Sequence, residues 1–131
     1  MPKQLRAYEV KPGYEPLMEV LYDALRQASN GKGDERHAGG KVFIDQPIFT
    51  IAREHGLAFL TGQAAKKLGE SHTLLSIFGE NRAIAELYGA IVYTAAAIIL
   101  LKEQESKDMS VLDEPHQPAV TPARHCTESL C

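Results

Sequence analysis

From Ala83 to Leu101 the chain runs for nineteen residues interrupted only by Glu86, Gly89 and Thr94, and no other stretch limits the fold as much. A membrane span needs about 20 apolar residues in succession, and the uninterrupted part here is about half of that. The stretch therefore reads as a helix covered by protein, capped by Asn81 and running to about Glu105. Its apolar residues fall on nearly every side. Such a helix is roughly 37 Å long, and one other long helix with a shorter partner cannot cover all of it inside one small subunit. Apolar surface left over in that amount belongs in a protein interface, so a homo-oligomer is expected.

The 131 residues, 44% hydrophobic and 24% charged, suit one domain with a modest core. Residues 1–101 hold 11 Lys/Arg against 11 Asp/Glu, while residues 102–131 hold 3 against 6, so the net charge of −3 sits in the tail. A neutral body argues against DNA or RNA binding, which needs a basic face, but leaves room for a local anion site. Cys126 and Cys131 fall in the last six residues without CxxC or zinc-finger spacing and read as free thiols in a reducing compartment. Met1 to Arg6 lacks the apolar core of a signal peptide, and a cytoplasmic location without membrane attachment is expected.

The punctuation divides the rest. Residues 1–13 are polar and close on Lys11-Pro12-Gly13, a flexible lead-in with a turn. The helical domain is expected over 14–106, and 107–131, with Pro115, Pro118 and Pro122, reads as a disordered acidic tail. A first helix is predicted from Tyr14 to Ser29, with Pro16 in its first turn and Asn30-Gly31 as its stop. Leu17, Met18, Val20, Leu21, Ala24, Leu25 and Ala28 make its apolar stripe. Val42-Phe43-Ile44 reads as a short extended piece. A second helix, capped by Asp45 with Pro47 in its first turn, is predicted to reach about Gly69, where Lys66, Lys67 and Glu70 end it. Gly56 and Gly62 within it mark sites of close backbone approach. Ser71–Phe78 then forms a separate short amphipathic segment stopped by Gly79. The fold class is all-α: an antiparallel helical hairpin plus a third long apolar helix.

Chemistry concentrates in Gly31-Lys32-Gly33-Asp34-Glu35-Arg36-His37. Glycines let backbone N–H groups turn toward an anion, and an arginine can fork onto two oxygens. Lys32, Arg36 and Lys41 are thus phosphate candidates, unless Asp34, Glu35 and Arg36 pair among themselves and pin the loop. The run lacks the Walker pattern. Asp34, Glu35, His37 and Asp45 are possible metal ligands by type, but ExxE, ExxH and HExxH spacings are absent and no metal or cofactor is expected. His55 and His72 stand singly. With both cysteines in the tail and no nucleophile–base pattern, catalysis has no support. Gln63, Lys66 and Lys67 on adjoining turns either present donors to a polyanion or simply suit the dipole at a helix end. Tyr22, Phe43 and Phe49 have rings that can stack on a base, though aromatics at helical spacing are more often core.

The order of these pieces, Gly31 to His37, then Asp45-Gln46-Pro47-Ile48, then Gly62 to Lys67 with Glu70-Ser71, then Gly89 to Tyr93, resembles the helical-hairpin sponges of phages and prophages. These anti-CBASS and anti-Thoeris proteins sequester cyclic nucleotide signals of bacterial defence. The resemblance covers about residues 14–101. It implies binding without catalysis, in the cytoplasm of a host bacterium, by an oligomer that is commonly a hexamer. The implied ligand is a cyclic di- or trinucleotide or a cyclic ADP-ribose derivative. Lys32, Arg36 and His37 are the expected phosphate contacts, followed by Gln63, Lys66 and Lys67, with Tyr22 for stacking. The competing enzyme reading is a MazG-like all-α nucleotide pyrophosphohydrolase. That chemistry holds Mg²⁺ between paired acids, whereas Glu54, Glu70, Glu80 and Glu86 are isolated in sequence. A third reading is a phage protein that inhibits a host protein by binding it through the apolar third helix.

Overall fold

Glycine decides where the chain bends. A computed structural model of the protein describes residues 10–30 and 40–112, and over these it is all-helical with no strand. Helix α1 spans Glu15–Asn30 and a 3-10 turn spans Phe43–Asp45. Helices α2 (Pro47–His55), α3 (Leu57–Phe78) and α4 (Glu80–Leu112) then follow with one residue between neighbours. Those residues are Gly56 (φ 94°, ψ 175°) and Gly79 (φ 88°, ψ −175°). A positive φ with ψ near 180° is a region that a Cβ closes to every residue but glycine. A helix can stop and restart within one residue here because these two positions carry no side chain.

This corrects the boundaries predicted from sequence. The second helix breaks at Gly56, and α3 continues through Gly69, Glu70 and Ser71 to absorb the segment expected to stand apart. Glycine inside a helix costs about 1 kcal/mol relative to alanine, and neighbouring contacts offset it. Lys66 and Lys67 both lie within ion-pair distance of Glu70, at 3.7 and 3.8 Å. Ser71, buried, donates its hydroxyl to the Leu68 carbonyl at 2.6 Å. Of Val42–Ile44 only Val42 is extended, because Phe43 opens the 3-10 turn and meets Phe49 edge-on at 5.1 Å. Gln46, not Asp45, caps α2, without a side-chain bond, and Pro47 occupies its first turn as expected. Helix α4 extends past Glu105 and takes in residues 107–112.

The core lies where α2, the N-terminal half of α3 and the middle of α4 meet. Phe49, Ala52, Leu60, Ala96, Ala97 and Leu100 form it, and Phe49, Leu60 and Leu100 are its largest fully enclosed side chains, each contributing about 1.5–3 kcal/mol. Alanine dominates the α4 side, with Ala83 and Ala90 also buried. Small side chains let the backbones approach, and α3 and α4 share the most extensive contact among the described elements. The close backbone approach expected at Gly56 and Gly62 is not seen among the described residues, where an added Cβ at either has nothing within 4 Å, whereas at Gly89 an added Cβ would lie 3.3 Å from the Lys67 side chain.

Helix α1 is held differently. Gln27 donates its amide to the Ala85 carbonyl at 2.9 Å, and the Tyr88 hydroxyl donates to Asp23 at 3.4 Å. Of its predicted apolar stripe only Ala24 is buried, while Leu17, Met18, Val20, Leu21 and Leu25 are exposed among the described residues. The reason is that α1 meets α4 through its small and polar residues, which turns the bulky ones outward. Helix α4 is likewise uncovered in part, at Ile84, Leu87, Ile98 and Leu101. Over Glu80–Val111 it is long and apolar enough to cross a membrane by length and composition, with a mean hydropathy of 2.0 in its most apolar window.

Replacing Gly56 or Gly79 by alanine forces a Cβ into the glycine-only region and is expected to lower stability by about 1–3 kcal/mol each. Gly62→Ala, in a helix with nothing within 4 Å of the new carbon, is expected to raise it by about 0.5–1 kcal/mol. Urea titration followed by circular dichroism reads both signs.

Candidate functional site

Between α1, the 3-10 turn and α4 the side chains fail to fill the space and leave a cavity of about 410 Å³. Ala24 and Ala28 on α1 face Ile91, Val92 and Ala95 on α4, and Leu21 and Leu25 complete the α1 wall. Phe43 and Gln46 contribute from the stretch leading into α2, with Lys41 and Ser29 at the ends of the chain that flank residues 31–39. The alanines explain the gap: helices spaced by a tyrosine–aspartate contact at one point cannot close over residues this small elsewhere. The volume falls at the lower end of the range for small-molecule sites, roughly 300–1,000 Å³.

Its electrostatics are simple. The Ser29 hydroxyl donates to the Leu25 carbonyl at 2.9 Å, and a hydroxyl oxygen that donates can also accept. The C-terminal end of α1 is electronegative and does not itself attract an anion. Any affinity for phosphate at this end depends on cations, and Lys41 is the one that lines the cavity among the described residues.

The floor is fixed by Arg53. Its guanidinium donates two bonds to Glu103 on α4, at 2.9 and 3.2 Å, and a third to the Ile44 carbonyl at 3.0 Å. It also lies 5.4 Å from the centre of the Phe49 ring. One side chain thus ties the 3-10 turn, α2 and α4 together and holds Phe43 at the cavity. The bond to Glu103 raises the Arg53 pKa, and the same bond holds the Glu103 carboxyl below its usual range against a smaller opposing effect of desolvation.

Lys32, Arg36 and His37 lie outside the described residues. Tyr22 is 60% exposed, stands on the outer side of α1 with Tyr14 and Met18, and does not line the cavity. Gln63, Lys66 and Lys67 are together on α3. The Lys67 ammonium donates to Glu86 on α4 at 2.7 Å and lies 3.8 Å from Glu70, so it sits between two acids of adjacent helices and fastens α3 to α4. The structure therefore brings the α3 cations to glutamates and leaves Tyr22 separate from them. Among the described residues no group of three or more His, Cys, Asp or Glu side chains is placed to hold a metal ion. Sequence reasoning missed Gln46 as a lining residue and Arg53 as the side chain that sets the floor. The alanine spacing at 24 and 28 was a signal for a gap only once the facing helix was known.

No protein-family model matches the chain, and no curated protein and no solved structure matches it.

The Arg53–Glu103 pair has a pH signature. Glu103 is more acidic folded than unfolded, so its contribution to stability is whole above the ordinary carboxylate range. It is lost as pH falls through the lower folded value. Glu103→Gln is expected to flatten that part of the acid-unfolding profile and to lower stability at neutral pH, measured by thermal unfolding across a pH series.

Proposed function

We propose that the protein is a non-catalytic binding protein that sequesters a small nucleotide-like anion, acting as a homo-oligomer in the cytoplasm of a host bacterium. The observation that carries this reading is the cavity: apolar walls suited to the face of a base, with Lys41, Gln46 and Ser29 at the ends of the glycine-rich, ionisable stretch that holds Lys32, Arg36 and His37. Retention of such a ligand needs a few donors and one or two cations per pocket, which a neutral body can supply. The order of short segments that resembles phage sponges supports the same class of ligand, a cyclic di- or trinucleotide or a cyclic ADP-ribose derivative. Helices α3 and α4, joined at Gly79 and fastened by Lys67–Glu86, fit an antiparallel hairpin in that scheme. The exposed apolar side chains of α1 and α4 support self-association.

A second reading has one observation in its favour. Helix α4 is long and apolar enough to span a membrane by length and composition, and only 22% of its most apolar stretch is buried. Carbonate extraction of membranes separates the two: release into the soluble fraction supports the sponge, and retention supports an embedded α4.

Calorimetric titration with a panel of cyclic nucleotides and cyclic ADP-ribose isomers, with recovery of the ligand afterwards, is expected to show tight binding of an unaltered ligand. Lys41→Glu should weaken it by about tenfold or more, the worth of one charged contact, and Arg36→Ala should abolish it with the oligomer intact. Absence of binding across the panel, or a hydrolysed ligand, would end this reading.

A further inference from the structure

One polar side chain of the cavity stands where local stability does not ask for it. Gln46 occupies the N-cap of α2, a position that aspartate, asparagine, serine and threonine fill because their short side chains reach the first N–H groups of the helix. Gln46 makes no such bond, and no other described residue takes up its amide. Its backbone, by contrast, is fully engaged. The N–H donates to the Phe43 carbonyl at 3.2 Å, and the carbonyl accepts from the N–H groups of Phe49 and Thr50 at 3.0 and 3.4 Å. Pro47 holds the residue extended, at φ −71° and ψ 156°. The result is a half-buried residue on a fixed stem, lining the cavity beside Phe43. Of the lining side chains it alone carries an uncommitted donor and acceptor side by side in one plane. The Ser29 hydrogen is committed to Leu25, Lys41 only donates, and the others are apolar.

We infer that Gln46 reads the base of the ligand and sets a preference for adenine over guanine. The inference deepens the proposed function and rests on its nucleotide part, not on the oligomer. A glutamine amide pairs through two bonds with an edge that sets an amino group next to a ring nitrogen, as adenine does. Guanine sets a carbonyl oxygen where adenine has its amino group, and the cavity disfavours that oxygen for a separate reason. Ala28 and Ser29 of the last turn of α1 line it, and the carbonyls of a last helical turn lack partners within the helix and carry partial negative charge. They attract an amino group and repel a carbonyl oxygen. Phe43 offers an aromatic surface for the ring.

The test is calorimetric titration of the full chain with cyclic di-adenylate and cyclic di-guanylate, which share their phosphates and sugars and differ in the base alone. The wild-type protein is expected to bind the adenine form about tenfold more tightly or better, within the range that a two-bond base contact is worth. Gln46→Met, close in size and unable to pair, is expected to bring the two affinities together. Gln46→Ser is expected to do the same while raising the urea midpoint of unfolding, since serine supplies the missing cap. A variant that binds worse and is more stable cannot owe its loss to misfolding. Equal affinities in the wild type, a preference for guanine, or a preference that survives both substitutions would overturn the inference and leave the nucleotide reading standing. Binding of neither probe overturns it too, and the wider panel of cyclic nucleotides then decides the rest: a ligand found there keeps the nucleotide reading, and none ends both.

Discussion

A seam of small side chains along α4 is the constraint from which the rest of the structure follows. Ala83, Ala90, Ala96 and Ala97 are buried, and only residues of that size let a helix of about 50 Å lie close against α3 over much of its length. Close packing gains dispersion contacts that no single pair would supply. It also brings the Lys67 stem against Gly89 and its ammonium to Glu86, so polar and apolar contacts select the same register. Helix α2 then has one place to go, with Phe49 and Ala52 closing the seam and Arg53 reaching across to Glu103.

Helix α1 stands outside this arrangement. It has 16 residues, a length at which an isolated helix is marginal in water, and it buries one alanine and makes two side-chain bonds to α4. What it leaves open on one side is the cavity, and on the other the row of tyrosine, leucine and methionine. The two openings share Leu21 and Leu25. Whatever covers the outer side therefore steadies the wall of the inner one.

Much of the helical content was legible in sequence because local signals set it. Pro16 and Asn30-Gly31 placed α1 within a residue of its observed ends, and Pro47 fixed the start of α2. Gly56 and Gly62 are the same residue in similar surroundings, and what separates them is a φ of 94° at one, a property of the tertiary path. Lys66-Lys67-Gly69-Glu70 resembled a helix end because cations and glycine favour one; the partner that changes that meaning, Glu86, is nineteen positions away. The spacing of Leu17, Leu21 and Leu25 identified a face without saying whether it would be covered. The cavity is an absence of packing, and Lys41 and Gln46 acquire their place only from how α1 and α4 diverge. Lys32, Arg36 and His37, the residues on which the sequence reading leaned most, fall outside the described part.

Connecting loops normally absorb changes in the length of a helix, but Gly56 and Gly79 leave nothing between α2, α3 and α4 to do so. One residue inserted in α3 would turn everything beyond it by roughly 100° about the axis and advance it by about 1.5 Å. The alanine seam would face solvent, Glu86 would leave Lys67, and Glu103 would leave Arg53. The number of residues between the two glycines is thus as strictly specified as their identities, and this chain can vary in composition along α3 far more readily than in length.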